Sequence, residues 1–390
     1  MMPAPTHPYN YIVYRTFDQV NGELFHAEHS DGTPLANTPQ STPDPVIQTA
    51  LNQPFLGDIV KKGPGHAYIQ TADPAVYNLS PAFTGFEVSS YTRITMDPTT
   101  ILRVPSAYTG PVFHLRADDT VEVLHTIIDG GYIQQVGGSK QCVGILLENA
   151  ATVVTSPQHH TPGVLFNKIM NTVIEGAAIG IQLSITGPGG WVNGNSFQSL
   201  KMYSCGVFID FDDPNNVYPT PTPGNGAVGN LRIHYNHFDE VQCQCDAGVS
   251  VGVRNMRHIG NMFVDVKVWD VPEPPNVPAP VPIATIHQHA TNTIILGGIL
   301  TNPNAFFQDN GQFTKIFDQW QGLKLGNDFA IPAATRIGTS SFEPLAFFGK
   351  ALLGQQPGSG SGETAGDSYG STERDMLNAL YSTLRAYGLI

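Results

Sequence analysis

Charge is scarce in this chain. Only 13% of its 390 residues are charged, about half the share usual for a soluble domain. Cations are scarcer still: nine Lys and ten Arg face 32 Asp and Glu, for a formal net charge of −13. A surface of that sign repels a phosphate backbone, so nucleic acid is not an expected partner. Long apolar runs are missing too. None reaches the length that spans a bilayer, so membrane insertion is not expected. The opening "MMPAPTHPYNYIVYR" has no basic stretch followed by an apolar core, so no signal peptide is expected.

Cysteine is rare, with Cys142, Cys205, Cys243 and Cys245 the whole complement. "CQC" lacks the C-x-x-C spacing of zinc and redox sites. On a strand, Cys243 and Cys245 share one face, most simply a core face, which predicts buried free thiols. Metal and disulfide roles remain alternatives. The Gly-rich "GGSK" (137–140) and "GPGG" (187–190) lack the spacing of a phosphate-cradling loop and read as turns. G-x-S-x-G and H-E-x-x-H are absent. No cofactor is expected.

What the chain has in plenty is Gly (40) and Pro (31), a mix that suits many short strands joined by turns. Residues 1–50 are polar and turn-rich and suggest an extended N-terminal arm for attachment to a larger particle. Residues 51–300 carry short apolar runs and read as one β shaft. Within them a phrase, Asn-x-Phe-x-x-aliphatic, occurs three times: "NSFQSL" from Asn195, "NHFDEV" from Asn236 and "NMFVDV" from Asn261. A second phrase, Gly followed by alternating apolar residues, starts at Gly110, Gly144, Gly180, Gly206 and Gly248. The two alternate, giving a unit of strand, turn, strand, turn.

The Asn phrases lie 41 and 25 residues apart, and the Pro-rich "DDPNNVYPTPTPGNGAVGN" accounts for the longer gap. A period near 25 residues built from short strands predicts a solenoid. One coil cannot bury its apolar face, whereas stacked coils do so and pair their strand edges. Phe197, Phe238 and Phe263 are then expected to stack inside. Asn195, Asn236 and Asn261 are expected to form a ladder of turn amides. Gly at the strand entry is expected to supply a positive φ at a corner. A β-sandwich with chance repeats is the alternative.

Residues 301–354 read as a C-terminal β region, and 355–371 ("QQPGSGSGETAGDSYGS") as a flexible linker. Residues 372–390 predict a helix. Thr372 is placed as N-cap with Asp375 three residues on, and Gly388 closes it. Leu377, Leu380, Leu384 and Tyr387 are spaced 3, 4, 3, a coiled-coil seam. A helix this short needs partners, either copies of itself or its own subunit.

The end of the chain, with Phe347-Phe348-Gly349, a low-complexity spacer and Leu380…Leu384-Arg385…Gly388-Leu389-Ile390, resembles the C-terminus of many bacteriophage virion proteins. That group often has a Pro soon after its "FFG"; here the next Pro is Pro357. The region before it resembles the right-handed parallel β-helix of pectin-lyase-like proteins and phage tailspikes. The resemblance implies an all-β homotrimer with a short C-terminal α-helix: a virion spike, fibre or decoration protein. It implies assembly in a host cytoplasm, contacts with other virion proteins through the N-terminal arm or C-terminal end, and attachment to host-surface polysaccharide.

Such shafts sometimes cleave glycan, which needs two carboxylates about 5–9 Å apart. Asp210, Asp212 and Asp213 in "FIDFDDPNN", with Asp239 and Glu240 about one coil later, are the candidates. Turn residues capping a strand end are the alternative. A lyase base is lacking between 202 and 231; Arg232 is the nearest cation. His287 and His289 in "TIHQH" share a strand face and are weak metal-ligand candidates. His159 and His160 sit in a loop-like stretch.

Overall fold

The computed structural model of the chain describes residues 9–53, 68–71, 76–152, 162–187, 190–212, 233–244, 251–256, 261–264, 266–269, 282–286, 294–296, 306–309, 315–317, 346–347, 350–351, 375 and 377–382. Two units divide the chain, Met1–Thr335 and Arg336–Ile390.

The first unit is an all-β solenoid of parallel strands. A coil made of Gly163–Leu165, Lys168–Met170, Val173–Glu175 and Ile179–Ile185 pairs, strand for strand, with Trp191–Asn193, Ser196–Gln198, Lys201–Tyr203 and Val207–Asp212. That coil pairs in turn with Ile233–His234, His237–Asp239, Gln242–Gln244 and Val251–Met256. The strands line up in sheets of sixteen, eight and four. Each coil thus carries four short strands where the sequence pattern suggested two. Three-residue strands are too brief for alternation to show them.

Coil strands continue past residue 300: Phe306–Asp309 pairs with Pro282–Ile286, and Lys315–Phe317 with Ile294–Leu296. At the other end, the segment read as an extended arm is folded. Tyr11–Asp18 and Gly22–His29 form an antiparallel hairpin, and Tyr11–Asp18 also pairs in parallel with Tyr68–Thr71. A helix, Pro43–Leu51, follows. Its Val46, Ile47, Ala50 and Leu51 join Tyr11, Val13 and Phe25 in the same core that fills the solenoid. Apolar residues thinly spaced among Pro, Thr and Asn hid this cap from a reading by composition.

Inside, the register stacks like on like. Phe197 lies over Phe238 with centroids 4.4 Å apart and planes 6° off parallel, and Phe238 lies over Phe263 at 5.0 Å and 5°. Ile94, Ile128 and Ile169 extend the same column through earlier coils. All six are buried.

Beside this column runs a ladder of buried carboxamides. Asn195 Oδ1 accepts from both the backbone N–H and the Nδ2 of Asn167, at 3.0 Å each. Asn236 serves Asn195 in the same way, and Asn261 serves Asn236. Each Nδ2 also donates to a carbonyl of the coil before: Val123, Val164, Val192 and Ile233. Asn167 opens the ladder and reaches back to the N–H of Thr126. Its coil writes Ile169 in place of Phe, so the three-fold phrase misses it.

Corners follow a spacing of five. Positive φ occurs at Phe166, Asn171 and Gly176, at Gly194, Ser199 and Ser204, and at Tyr235 and Glu240. The left-handed turn aims each corner N–H at a carbonyl of the next coil: Asn171 at Gln198, Ser199 at Asp239, Glu240 at Val264. An L-residue in that conformation costs about 1–2 kcal/mol, offset in part by the backbone bond that would otherwise go unmade.

The recurrent Gly therefore has another reason than the one expected. Gly110, Gly144, Gly180 and Gly206 do not have positive φ. A Cβ on Gly180 would stand 2.5 Å from Met202 Sδ and 2.8 Å from the Phe208 carbonyl oxygen, and one on Gly144 2.6 Å from that of Gly180. Gly144, Gly180 and Gly206 let neighbouring coils approach, and Gly110 makes room for the Tyr108 ring. Gly248 lies outside the described residues.

In the second unit, Ala346–Phe347 and Lys350–Ala351 pair as an antiparallel hairpin. Asp375 and residues 377–382 are helical, with Leu380 and Tyr381 exposed. Phe348, Gly349, Leu384, Tyr387 and the 355–371 linker lie outside the described residues.

Candidate functional site

Two outward surfaces of the solenoid gather chemistry-bearing side chains. The first is the outer face of the eight-stranded sheet. Strand register places Glu87, His114, Leu146, Gln182, Asp210 and Arg254 in one row, and Arg116, Glu148, Ser184 and Asp212 in the next. His114 is clamped by two carboxylates: Nδ1 lies 2.9 Å from Glu87 Oε1 and Nε2 2.8 Å from Glu148 Oε2. Thr186 Oγ1 donates to Glu148 Oε1 at 2.6 Å, and Arg116 Nε stands 3.6 Å from Glu148 Oε2. Burial alone lowers the His114 pKa, but the bonds to Glu148 and Glu87 outweigh it and lift the imidazole to about 9. Glu148 is held below its usual value, first by His114. At neutral pH the trio is a doubly bonded imidazolium, which locks three coils together.

The expected carboxylates fall on two different sheets. Asp210 and Asp212 are alternate residues of Val207–Asp212 and face outward on the eight-stranded sheet. Asp210 is 2% exposed and accepts from Gln182 Nε2 at 3.2 Å. Asp239 belongs to the sixteen-stranded sheet, in register with Gln198 and Val264. Glu240 is the corner residue after it and accepts from Ser199 Oγ at 2.8 Å. The register stacks neither of this pair on Asp210 or Asp212. Asp213, Arg232, His159, His160, His287, His289 and Cys245 lie outside the described residues. Among the described residues no group of three His, Cys, Asp or Glu is arranged to hold a metal ion, and no helix is long and apolar enough to cross a membrane.

Cys142, Cys205 and Cys243 are buried. Burial pushes the Cys142 and Cys205 thiols up to about 12, so neither is a nucleophile at neutral pH.

The second surface is a groove of about 440 Å³, lined by Arg103, Gln134, Gln135, residues 136–138, Lys140, Glu175, Gly176 and Ser204. Unequal corners build it. Seven residues, 136–142, join Ile127–Gln135 to Val143–Asn149, while only three join Val173–Glu175 to Ile179–Ile185 and Lys201–Tyr203 to Val207–Asp212. The long corner therefore projects beside two short ones.

Gln135 pins that corner. Its Oε1 accepts from the N–H groups of Gln141 and Cys142, and its Nε2 donates 2.7 Å to the Tyr108 carbonyl one coil back. On the groove floor, Gln134 Nε2 donates to Glu175 Oε2 at 2.8 Å, and the Tyr132 hydroxyl donates to the same oxygen. Burial, with Glu175 beside it, raises the Tyr132 phenol and keeps it a donor. By its spacing "GGSK" reads only as a turn, and the groove depends on coil register that no single segment reveals.

No protein-family model matches the chain, and a search of curated proteins found no match. Among solved structures, tailspike protein 3 of bacteriophage CBA120 aligns at 9% identity and a TM-score of 0.22. The alignment covers 63% of this chain and 51% of that one, so this chain spans about half the length of that tailspike.

Proposed function

We propose that the chain is a tailspike-like structural protein of a virion, a stiff trimeric appendage that holds the particle to host-surface glycan. The observation that carries this reading is the construction of the solenoid. Buried Asn and Phe ladders run from coil to coil. Such a column resists bending and presents long outer faces, which suits reach and adhesion. The C-terminal likeness to phage virion proteins supports the setting and the trimer. The acidic surface argues against nucleic acid.

The test is location. Antibody raised against the purified chain should decorate projections on gradient-purified particles from a lysed producing culture, and mass spectrometry should find the chain in the same fraction. Particles free of the chain would contradict the reading.

A second reading, glycan cleavage, draws on Asp210 and Asp212 standing at alternate positions of one strand, two carboxylates of the kind that glycoside hydrolysis needs. Release of reducing ends from host polysaccharide, abolished by Asp212→Asn, would establish it. No release by the parent chain would leave adhesion alone.

A further inference from the structure

The groove beside the 136–142 corner has a charge that the rest of the molecule does not. The whole chain carries 32 acidic and 19 basic side chains, yet the charged groups lining the groove are Arg103 and Lys140 against Glu175. Its other polar lining is Gln134, Gln135 and Ser204. We infer that this groove binds an anionic saccharide, a hexose unit bearing a carboxylate, within a longer glycan that lies across the coils. The inference rests on the glycan-attachment reading above and names the sugar class that attachment would use.

Three features point to that ligand. Two of the three charged groups lining the cleft are cations, which favours a negative group there, and guanidinium in particular matches a carboxylate with paired N–H donors. The amide and hydroxyl groups supply donors and acceptors in mixture, which polyhydroxyl ligands need and a bare anion does not. Glu175, already fixed by Tyr132 and Gln134, is poised to accept from a sugar hydroxyl. It also repels a ligand of purely negative character, such as free phosphate.

Register then gives the direction of the glycan. The row that contains the groove floor runs Arg103, Gln134, Glu175, Tyr203, Gln244, Trp269. Successive members stand about 4.8 Å apart, the spacing of paired strands, similar to the advance of one hexose in an extended polysaccharide. From Arg103 to Gln244 the row offers hydrogen-bonding groups, with the Tyr203 ring among them, so a linear glycan laid along the axis meets about one per sugar. The projecting corner, pinned by Gln135, closes one side without moving, so little ordering is lost on binding.

The test uses the full chain and three acidic oligosaccharides: trigalacturonate, trimannuronate and a hyaluronate hexamer, each titrated calorimetrically beside its carboxyl methyl ester. At least one acid form should bind, with its ester about tenfold weaker or more, the size of one charge-assisted hydrogen bond. Arg103→Gln and Lys140→Gln should each weaken the acid form by a similar factor. Ser204→Trp should abolish binding by filling the groove. Circular dichroism and melting temperature report whether each variant is folded, and the two cation variants stand independently of the tryptophan.

Failure of all three acids to bind would overturn the proposal, as would equal affinity for acid and ester. Binding unchanged in Arg103→Gln, Lys140→Gln and Ser204→Trp would overturn it too. Inorganic phosphate displacing the sugar at equal concentration would show a simple anion site instead. These outcomes are scored in solution, so they stand apart from whether the chain is found on particles.

Discussion

Asn195 shows what a single side chain does here. Removing its carboxamide in Asn195→Ala strands the N–H and one Nδ2 hydrogen of Asn167 and takes a donor each from the Val164 carbonyl and the Asn236 oxygen, which keeps the residue 195 N–H. Each buried group left without a partner costs about 1–3 kcal/mol. The variant should lose at least about 3 kcal/mol in denaturant unfolding, far more than an exposed Asn→Ala change. Phe238→Ala opens a hole between two stacked rings and should lose about 3–5 kcal/mol.

His114 makes the stability depend on pH. Its folded pKa, about 9, lies above its ordinary value. The group therefore stabilises fully below its unfolded pKa, and that contribution fades as pH rises through about 9. Glu148 shifts the other way, so its contribution is present above its unfolded pKa and fades as pH falls through its lowered folded value. Melting temperature should hold below about pH 6.5 and decline from there to about pH 9. His114→Gln should flatten that decline. A decline of the same size in the variant would remove the assigned role.

The three Asn-x-Phe phrases made this much legible at the residue scale, because identical residues at identical coil positions are a local signal. His114 was not legible: Glu87 and Glu148 lie 27 and 34 residues away in sequence, and only the register joins them.

Elements were legible in kind and missed in detail. Alternation revealed the longer strands such as Val143–Asn149. The three-residue strands hid, since a corner every five residues leaves no room for a periodic pattern. The corner conformation fell not only to Asn171, a type that favours a left-handed turn, but also to Phe166, Ser199 and Glu240, types that do not announce one. Glycine was noticed but given the wrong job, since crowding by a neighbouring coil leaves no trace in a single segment. Gly180→Ala checks the corrected role. With its Cβ 2.5 Å from Met202 Sδ and 2.8 Å from a backbone oxygen, it should destabilise by about 1–3 kcal/mol, although the Gly180 φ suits alanine. Unchanged stability would show that the coils have room to spare.

The C-terminal helical stretch carries an exposed Leu380. If it joins three chains, native mass spectrometry should give three times the 42.0 kDa chain, and Leu380→Asp should give one. A monomeric parent would end the trimer proposal while leaving the solenoid intact.

At the scale of the whole molecule, the solenoid core is a continuous column with no centre to nucleate around. Each coil is held by its neighbours, and stability should pass along the axis as a chain of nearest-neighbour terms. The N-terminal hairpin and helix cover one end of this column with Tyr11, Phe25 and Val46. That protects the first sheet edge from pairing with another molecule. Composition told of strands and turns, and the repeats told of stacking. The cap was invisible because its residues look like a tail.

The most direct measurement of the central claim, that buried ladders bind the coils into one cooperative column, is amide hydrogen exchange on the full chain. The N–H groups of Asn167, Asn195 and Asn236, each bonded to a side chain in the next coil, should exchange slowly and at similar rates. Asn195→Ala should speed all three together, with the neighbouring coils following. Loss of protection at the altered coil alone, or none at all, would contradict the account.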